Sequence, residues 1–178
     1  MPKYIYLYGP DGSGKTAIAL EIKKLYPDTI LIPFEPRRLN RSEFDSGYQG
    51  KNSASAAKPS PLIKSCILFL RYIYYDLIFK ARNIFSNAKY VIYTRGILEF
   101  GINNSNRRFP GWISLIYQRI CQRRSVLILT PIEDIQRRKN ELTLDDTVEL
   151  YFTYIRTGIQ LVGNLDTLEI CAEKILKR

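Results

Sequence analysis

Gly9-Pro10-Asp11-Gly12-Ser13-Gly14-Lys15-Thr16 fits the pattern G-x-x-x-x-G-K-[ST] and stands directly behind an apolar run, Tyr4-Ile5-Tyr6-Leu7-Tyr8, that reads as a first strand. The spacing has a chemical reason. Glycines let the backbone turn its N–H groups inward around phosphate oxygens, Lys15 is placed to reach the outer phosphates, and the Thr16 hydroxyl can ligate Mg²⁺. The helix expected to open near Lys15 and run through Ala17-Ile18-Ala19-Leu20 toward Lys24 would aim its positive end at the same anion. Loose glycine patterns are common, but here strand, loop and helix agree, so the whole stretch from Gly9 to Thr16 reads as a nucleotide-binding loop.

Outward from the loop, strands alternate with helical patterning. Thr29-Ile30-Leu31-Ile32-Pro33 is the second expected strand, and Phe34 to Pro61 follows as a long polar connection of the kind that covers a site. Leu62 to Phe79 is apolar except for Lys64, Ser65, Arg71 and Asp76. Three charged side chains would be costly in hydrocarbon, so the segment predicts a helix covered on both sides, in the core or at the contact of a homodimer, rather than a membrane span. Tyr90-Val91-Ile92-Tyr93-Thr94 and Ser125-Val126-Leu127-Ile128-Leu129 are the third and fourth strands, and Thr167-Leu168-Glu169-Ile170 is a short fifth before a helix from Cys171. Such alternation implies an α/β fold with a parallel sheet flanked by helices. Ligands of these sheets bind beyond the carboxyl ends of the strands, which gathers the glycine loop, Phe34-Glu35-Pro36, Thr94-Arg95 and the segment after Leu129 at one edge.

The 178 residues suit one domain, residues 1–178, that buries roughly two-thirds of its unfolded surface. Cys66, Cys121 and Cys171 lie far apart, and with no histidine in the chain they read as buried thiols of a cytoplasmic protein rather than a zinc site. The net charge of +10 raises nucleic-acid binding, but the basic residues fall in small groups, Arg37-Arg38, Arg107-Arg108, Arg123-Arg124 and Arg137-Arg138-Lys139, with no nucleic-acid motif around them. An enzyme that handles two phosphorylated substrates uses such groups, so no nucleic-acid partner and no membrane span are expected.

In this order the landmarks resemble the thymidylate kinase family of P-loop nucleoside monophosphate kinases, over most of the chain. Gly-Pro-Asp-Gly-Ser-Gly-Lys-Thr is typical of its phosphate loop, where the acidic residue matched by Asp11 lies near the sugar of the acceptor. Glu35-Pro36 matches an Arg-Glu-Pro segment, with Phe34 in the arginine's place. Arg95 matches the arginine of an Asp-Arg-aromatic signature that binds substrate phosphates, and Glu133 to Glu141 looks like a lid segment, within about 133–145, whose basic residues close over the transferred group. Asn106-Arg107-Arg108-Phe109-Pro110 resembles divergent thymidylate-kinase-like members. The resemblance implies a three-layer P-loop kinase fold with a five-stranded parallel sheet and a small lid, ATP and Mg²⁺ as cofactors, and phosphorylation of a nucleoside monophosphate, dTMP in first place. It also implies Lys15, Arg95, Arg137 and Arg138 as catalytic residues, Asp11, Glu35, Arg71 and Arg95 as acceptor-binding residues, and Thr16 as the metal ligand.

Departures from the family pattern sharpen the question. Thr94 replaces the signature aspartate, Gly96 replaces its aromatic, and Leu129-Thr130-Pro131 offers no carboxylate after the fourth strand. A hydroxyl adds no negative charge beside a metal. The metal would then rest on Thr16 and the nucleotide phosphates, with Glu35 as a substitute carboxylate. These departures keep two alternatives open: a kinase of another small molecule, such as a nucleoside or sugar-phosphate precursor, and a nucleotide-binding regulatory protein with weakened catalysis.

Overall fold

The computed structural model describes residues 1–33, 62–104, 111–138 and 143–177. Five strands, β1 (Lys3–Tyr8), β2 (Thr29–Ile32), β3 (Tyr90–Tyr93), β4 (Ser125–Leu129) and β5 (Gln160–Gly163), form one sheet in the order β2-β3-β1-β4-β5. All pairs are parallel, with Ile5 opposite Ile92, Tyr8 opposite Leu127 and Leu129 opposite Gly163. The strands are nearly continuous apolar runs because both faces are covered. Helices α1 (Lys15–Leu25) and α7 (Leu168–Leu176) pack one face, while α2 (Leu62–Asn83), α3 (Ile97–Asn104), α4 (Gly111–Cys121), α5 (Ile132–Arg138) and α6 (Leu144–Arg156) gather on the other.

Alternation along β1 sorts its side chains between the two layers. Ile5 and Leu7 meet Ile18, Ile22 and Ile175, whereas Tyr6 and Tyr8 enter an aromatic layer with Tyr93, Tyr72 and Tyr154. That aromatic layer closes around Asp76, which is fully buried and accepts hydrogen bonds from Tyr6 at 2.8 Å, Tyr117 at 2.7 Å and Lys80 at 2.9 Å.

Three sequence expectations change. The fifth strand is Gln160–Gly163, not Thr167–Ile170: Thr167 is the N-cap of α7, its hydroxyl accepting from the Ile170 N–H, so this segment starts a helix. Helix α2 is not enclosed in the core of the chain, because Ile67, Leu70, Tyr74 and Leu77 form an exposed stripe at helical spacing opposite buried Phe69, Tyr72 and Asp76. Of the three free cysteines only Cys171 is buried; Cys66 is exposed and Cys121 is half-buried. The connection Phe34 to Pro61, and with it Glu35, lies outside the described residues, as do Arg107, Arg108 and Lys139. No described helix is long and apolar enough to cross a membrane.

Candidate active site

The loop Gly9–Thr16 joins β1 to α1 at the carboxyl edge of the sheet, where the motif requires it. Gly9, Gly12 and Gly14 all have positive φ. At Gly14, φ is 85° and a Cβ would stand 2.8 Å from Asn164 Nδ2, so both conformation and space demand glycine. Gly14 also caps α1 without any side-chain bond, which leaves the first N–H groups of the helix facing the loop.

Lys15 is buried and turned back onto its own loop, donating to the carbonyls of Gly9 at 2.5 Å and Pro10 at 2.8 Å. Its ammonium lies 3.9 Å from Asp11 Oδ1. Ser13 Oγ is buried with no hydrogen-bond partner among the described residues, a polar atom inside the loop that phosphate oxygens would satisfy. Cationic lysine, uncapped helix start and orphaned hydroxyl together fit a nucleotide's phosphates. For a divalent cation the donors are fewer. Thr16 is exposed at the start of α1, Thr94 closes β3, and no group of three His, Cys, Asp or Glu side chains among the described residues could hold a metal. A cation here fits Thr16 and phosphate oxygens rather than a protein carboxylate cage.

The other strand ends bring further groups to the loop. Arg95, two residues beyond β3, is forked between Glu99 Oε1 at 3.0 Å through Nη1 and Asp11 Oδ1 at 3.4 Å through Nη2. Glu99 is mostly buried in the first turn of α3, where the helix N-terminus favours its charge, while Asp11 is half-exposed. From the far side, Arg138 at the end of α5 places Nη1 3.5 Å from the Gly12 carbonyl and 3.8 Å from the position of a Gly14 Cβ. Arg137 instead points outward and pairs with Asp134 at 3.6 Å. Arg71 is not brought into this cluster. It is exposed on α2, with its guanidinium 6.0 Å from the Tyr75 ring centroid, while Asp76 and Glu99 pair with Lys80 and Arg95.

Four supporting residues escaped the sequence reading. Thr130, just after β4, donates to the Ser13 carbonyl at 2.7 Å, and Asn164, just after β5, donates to the same carbonyl at 3.3 Å and to Thr130 Oγ1 at 3.2 Å. Asn164 was hidden because the fifth strand was placed too late in the chain. Glu99 could have been found from its i, i+4 spacing to Arg95. Gln122, whose side-chain oxygen accepts from Tyr8 at 2.6 Å and from the Ile97 N–H at 3.3 Å, leaves no sequence signal.

Sheet order, glycine loop and lysine define a P-loop α/β fold. No family model matches the sequence, and no curated protein does. Solved structures match over nearly the whole chain. Thymidylate kinase from Candida albicans superposes with TM-score 0.61 at 12% identity, covering 99% of this chain and 90% of that one. The YorR protein from Bacillus subtilis, solved with phosphorylated GDP, gives TM-score 0.58 at 14% identity, with 98% and 94% coverage. A tunicamycin resistance protein from Deinococcus radiodurans gives 0.56 at 14% identity, with 99% and 95% coverage. The fold of this chain is the one these P-loop proteins share.

Proposed function

We propose that this protein is an ATP-dependent, thymidylate-kinase-like enzyme that transfers a phosphoryl group to a small molecule, with a nucleoside monophosphate, dTMP first, as acceptor. The observation that carries the reading is the convergence of Lys15, Arg95 and Arg138, from three separate elements, on one glycine loop. Phosphoryl transfer spreads negative charge over the moving group, so positioned cations are the chemistry such a site needs. ATP supplies the phosphoryl group and Mg²⁺ offsets charge on its phosphates. Within the protein, Lys15 would hold the outer donor phosphates, Thr16 the cation, and Arg138 the face of the loop open to solvent. Arg95 would hold the acceptor phosphate once Asp11 lets go of its Nη2 and turns to the acceptor's sugar.

A second reading is favoured by Glu99. Arg95 lies between two carboxylates, whose oxygens can accept from the hydroxyl groups of a nucleoside or a sugar derivative and would repel a phosphate. Assembly as a homodimer is supported by the exposed stripe Ile67, Leu70, Tyr74 and Leu77 on α2, spaced 3, 4 and 3 residues apart as in a helix–helix seam.

The test is purified protein with ATP and Mg²⁺ against a panel of nucleosides, nucleoside monophosphates and sugar phosphates. Turnover of dTMP is the expected result, and turnover confined to unphosphorylated acceptors selects the second reading. Nucleotide binding without acceptor-dependent ADP formation sinks the kinase. Lys15→Ala should lower kcat by at least about a hundredfold with an unchanged circular dichroism spectrum.

A further inference from the structure

The turn that presents Arg95 is built around a tyrosine from another strand. Position 96 directly follows Arg95, and it is glycine for want of space rather than for backbone freedom, since Gly96 is absent from the positive-φ glycines. A Cβ there would fall on the hydroxyl and Cζ of Tyr8 and lie 2.7 Å from its Cε1. Tyr8 ends β1 immediately before the glycine loop and is 1% exposed, with its ring 5.9 Å from that of Tyr154 on α6. Its hydroxyl donates to Gln122 Oε1 at 2.6 Å, and that same oxygen accepts from the N–H of Ile97, the first residue of α3. One amide oxygen thus ties β1, the end of α4 and the start of α3 together. Arg95 and Gly96 directly precede the tied Ile97, and in the first turn of α3 stands Glu99, which grips Arg95 Nη1.

We propose that Tyr8 is a positioning residue for Arg95: its ring occupies the space that a side chain at 96 would need, and its hydroxyl, through Gln122, fixes the start of α3 and so the backbone from which Arg95 reaches the glycine loop. Aromatic ring and arginine come from the end of β1 and the turn after β3 rather than from adjacent residues. Burial holds the phenol well above its ordinary pKa, so the donor proton stays in place through the neutral range. The consequence for catalysis rests on the kinase reading above. The consequence for Arg95 itself does not.

The experiment uses the full chain in five forms: unchanged, Tyr8→Phe, Tyr8→Ala, Gly96→Ala, and the double variant Tyr8→Ala with Gly96→Tyr. Three quantities are read: the Arg95 Nε–Hε resonance in the ligand-free protein, assigned with Arg95→Lys; the affinity for a fluorescent ATP analogue; and kcat/KM for the acceptor found in the panel. Tyr8→Ala and Gly96→Ala should lower acceptor kcat/KM by about tenfold to a hundredfold, as displacement of a positioning group does, while analogue affinity holds within about twofold. Tyr8→Phe should give a smaller loss of the same kind. The double variant, which returns an aromatic ring to this space without the hydroxyl on Gln122, should recover kcat/KM and the Arg95 resonance to about the level of Tyr8→Phe. The proposal is overturned if the double variant, folded, is no better than the worse single variant, or if Tyr8→Phe and Gly96→Ala leave the Arg95 resonance and kcat/KM unchanged. Should the unchanged protein phosphorylate nothing, the kinase reading fails, and the Arg95 resonance across the five forms still decides the proposal.

Discussion

The two faces of the sheet are made of different materials. Against α1 and α7 the layer is mainly aliphatic, with Ile5, Leu7, Ile92, Val126 and Ile128 meeting Ile18, Ile22 and Ile175, and one aromatic pair, Tyr26 on Tyr90, beside them. On the other face six buried tyrosines of the described residues join the layer, Tyr6 and Tyr93 stacking with centroids 4.5 Å apart, and buried hydroxyls call for partners. Those partners are Asp76 for Tyr6 and Gln122 for Tyr8, while Tyr151 accepts from the Thr130 N–H at 3.0 Å. The aliphatic face can only be well or badly packed. The tyrosine face is tied by directional bonds to α2, α3, α4 and the loop after β4, the same pieces that surround Arg95 and brace the phosphate loop. Packing therefore backs the glycine loop through α1, while hydrogen bonds tie the start of α3 beside Arg95 and, through Thr130, the loop itself.

Alkaline pH should break this comparison most widely. Burial, as the leading cause, holds the phenols of Tyr6, Tyr8, Tyr72, Tyr93 and Tyr154 above their ordinary value of 10.0. The folded chain keeps these protons where the unfolded chain releases them. Stability is thus full below pH 10 and falls above it, by up to about 1.4 kcal/mol per pH unit for each buried tyrosine. Urea midpoints at pH 8 and pH 11 check this, and equal midpoints would show the tyrosine layer open to water. Next in size, Asp76→Ala should cost about 3–5 kcal/mol by chemical denaturation, because Lys80 and two phenols lose their shared acceptor. On the aliphatic face Ile22→Ala should cost about 2–4 kcal/mol through its cavity, with kcat unchanged below the melting temperature. A drop in kcat there would erase the division between the faces. Smallest, Tyr151→Phe should cost about 1 kcal/mol, read as a shift of the thermal midpoint, because it strips the Thr130 backbone of one buried partner.

Where the sequence was legible, the determinants were local. Strand β1, the glycine loop and α1 follow from consecutive residues, and β3 and β4 from short apolar runs ended by polar ones. The fifth strand was misplaced because Thr167-Leu168-Glu169-Ile170 resembles a strand in composition, while its actual role comes from Thr167 capping a helix. Gln160–Gly163 is a strand because Val126, Leu127, Ile128 and Leu129 offer a ladder to it, a fact of tertiary pairing. Arg138 and Arg137 are equivalent in sequence and opposite in space, one at the Gly12 carbonyl and the other on Asp134. The tyrosines of β1 read as core, but their hydroxyl partners lie 70 residues on for Tyr6 and 114 for Tyr8, beyond any local pattern.

The two carbonyls that hold Lys15 also set a threshold for ligands. The ammonium shed most of its water when the chain folded and rests on two neutral carbonyls with the Asp11 carboxylate 3.9 Å away, so a bound polyphosphate would exchange those carbonyls for charged oxygens. Calorimetry on a polyphosphate should accordingly register this contact as released heat with a small change in heat capacity. An uncharged ligand would have nothing stronger than a peptide carbonyl to offer the lysine, so this contact would favour a charged ligand over it.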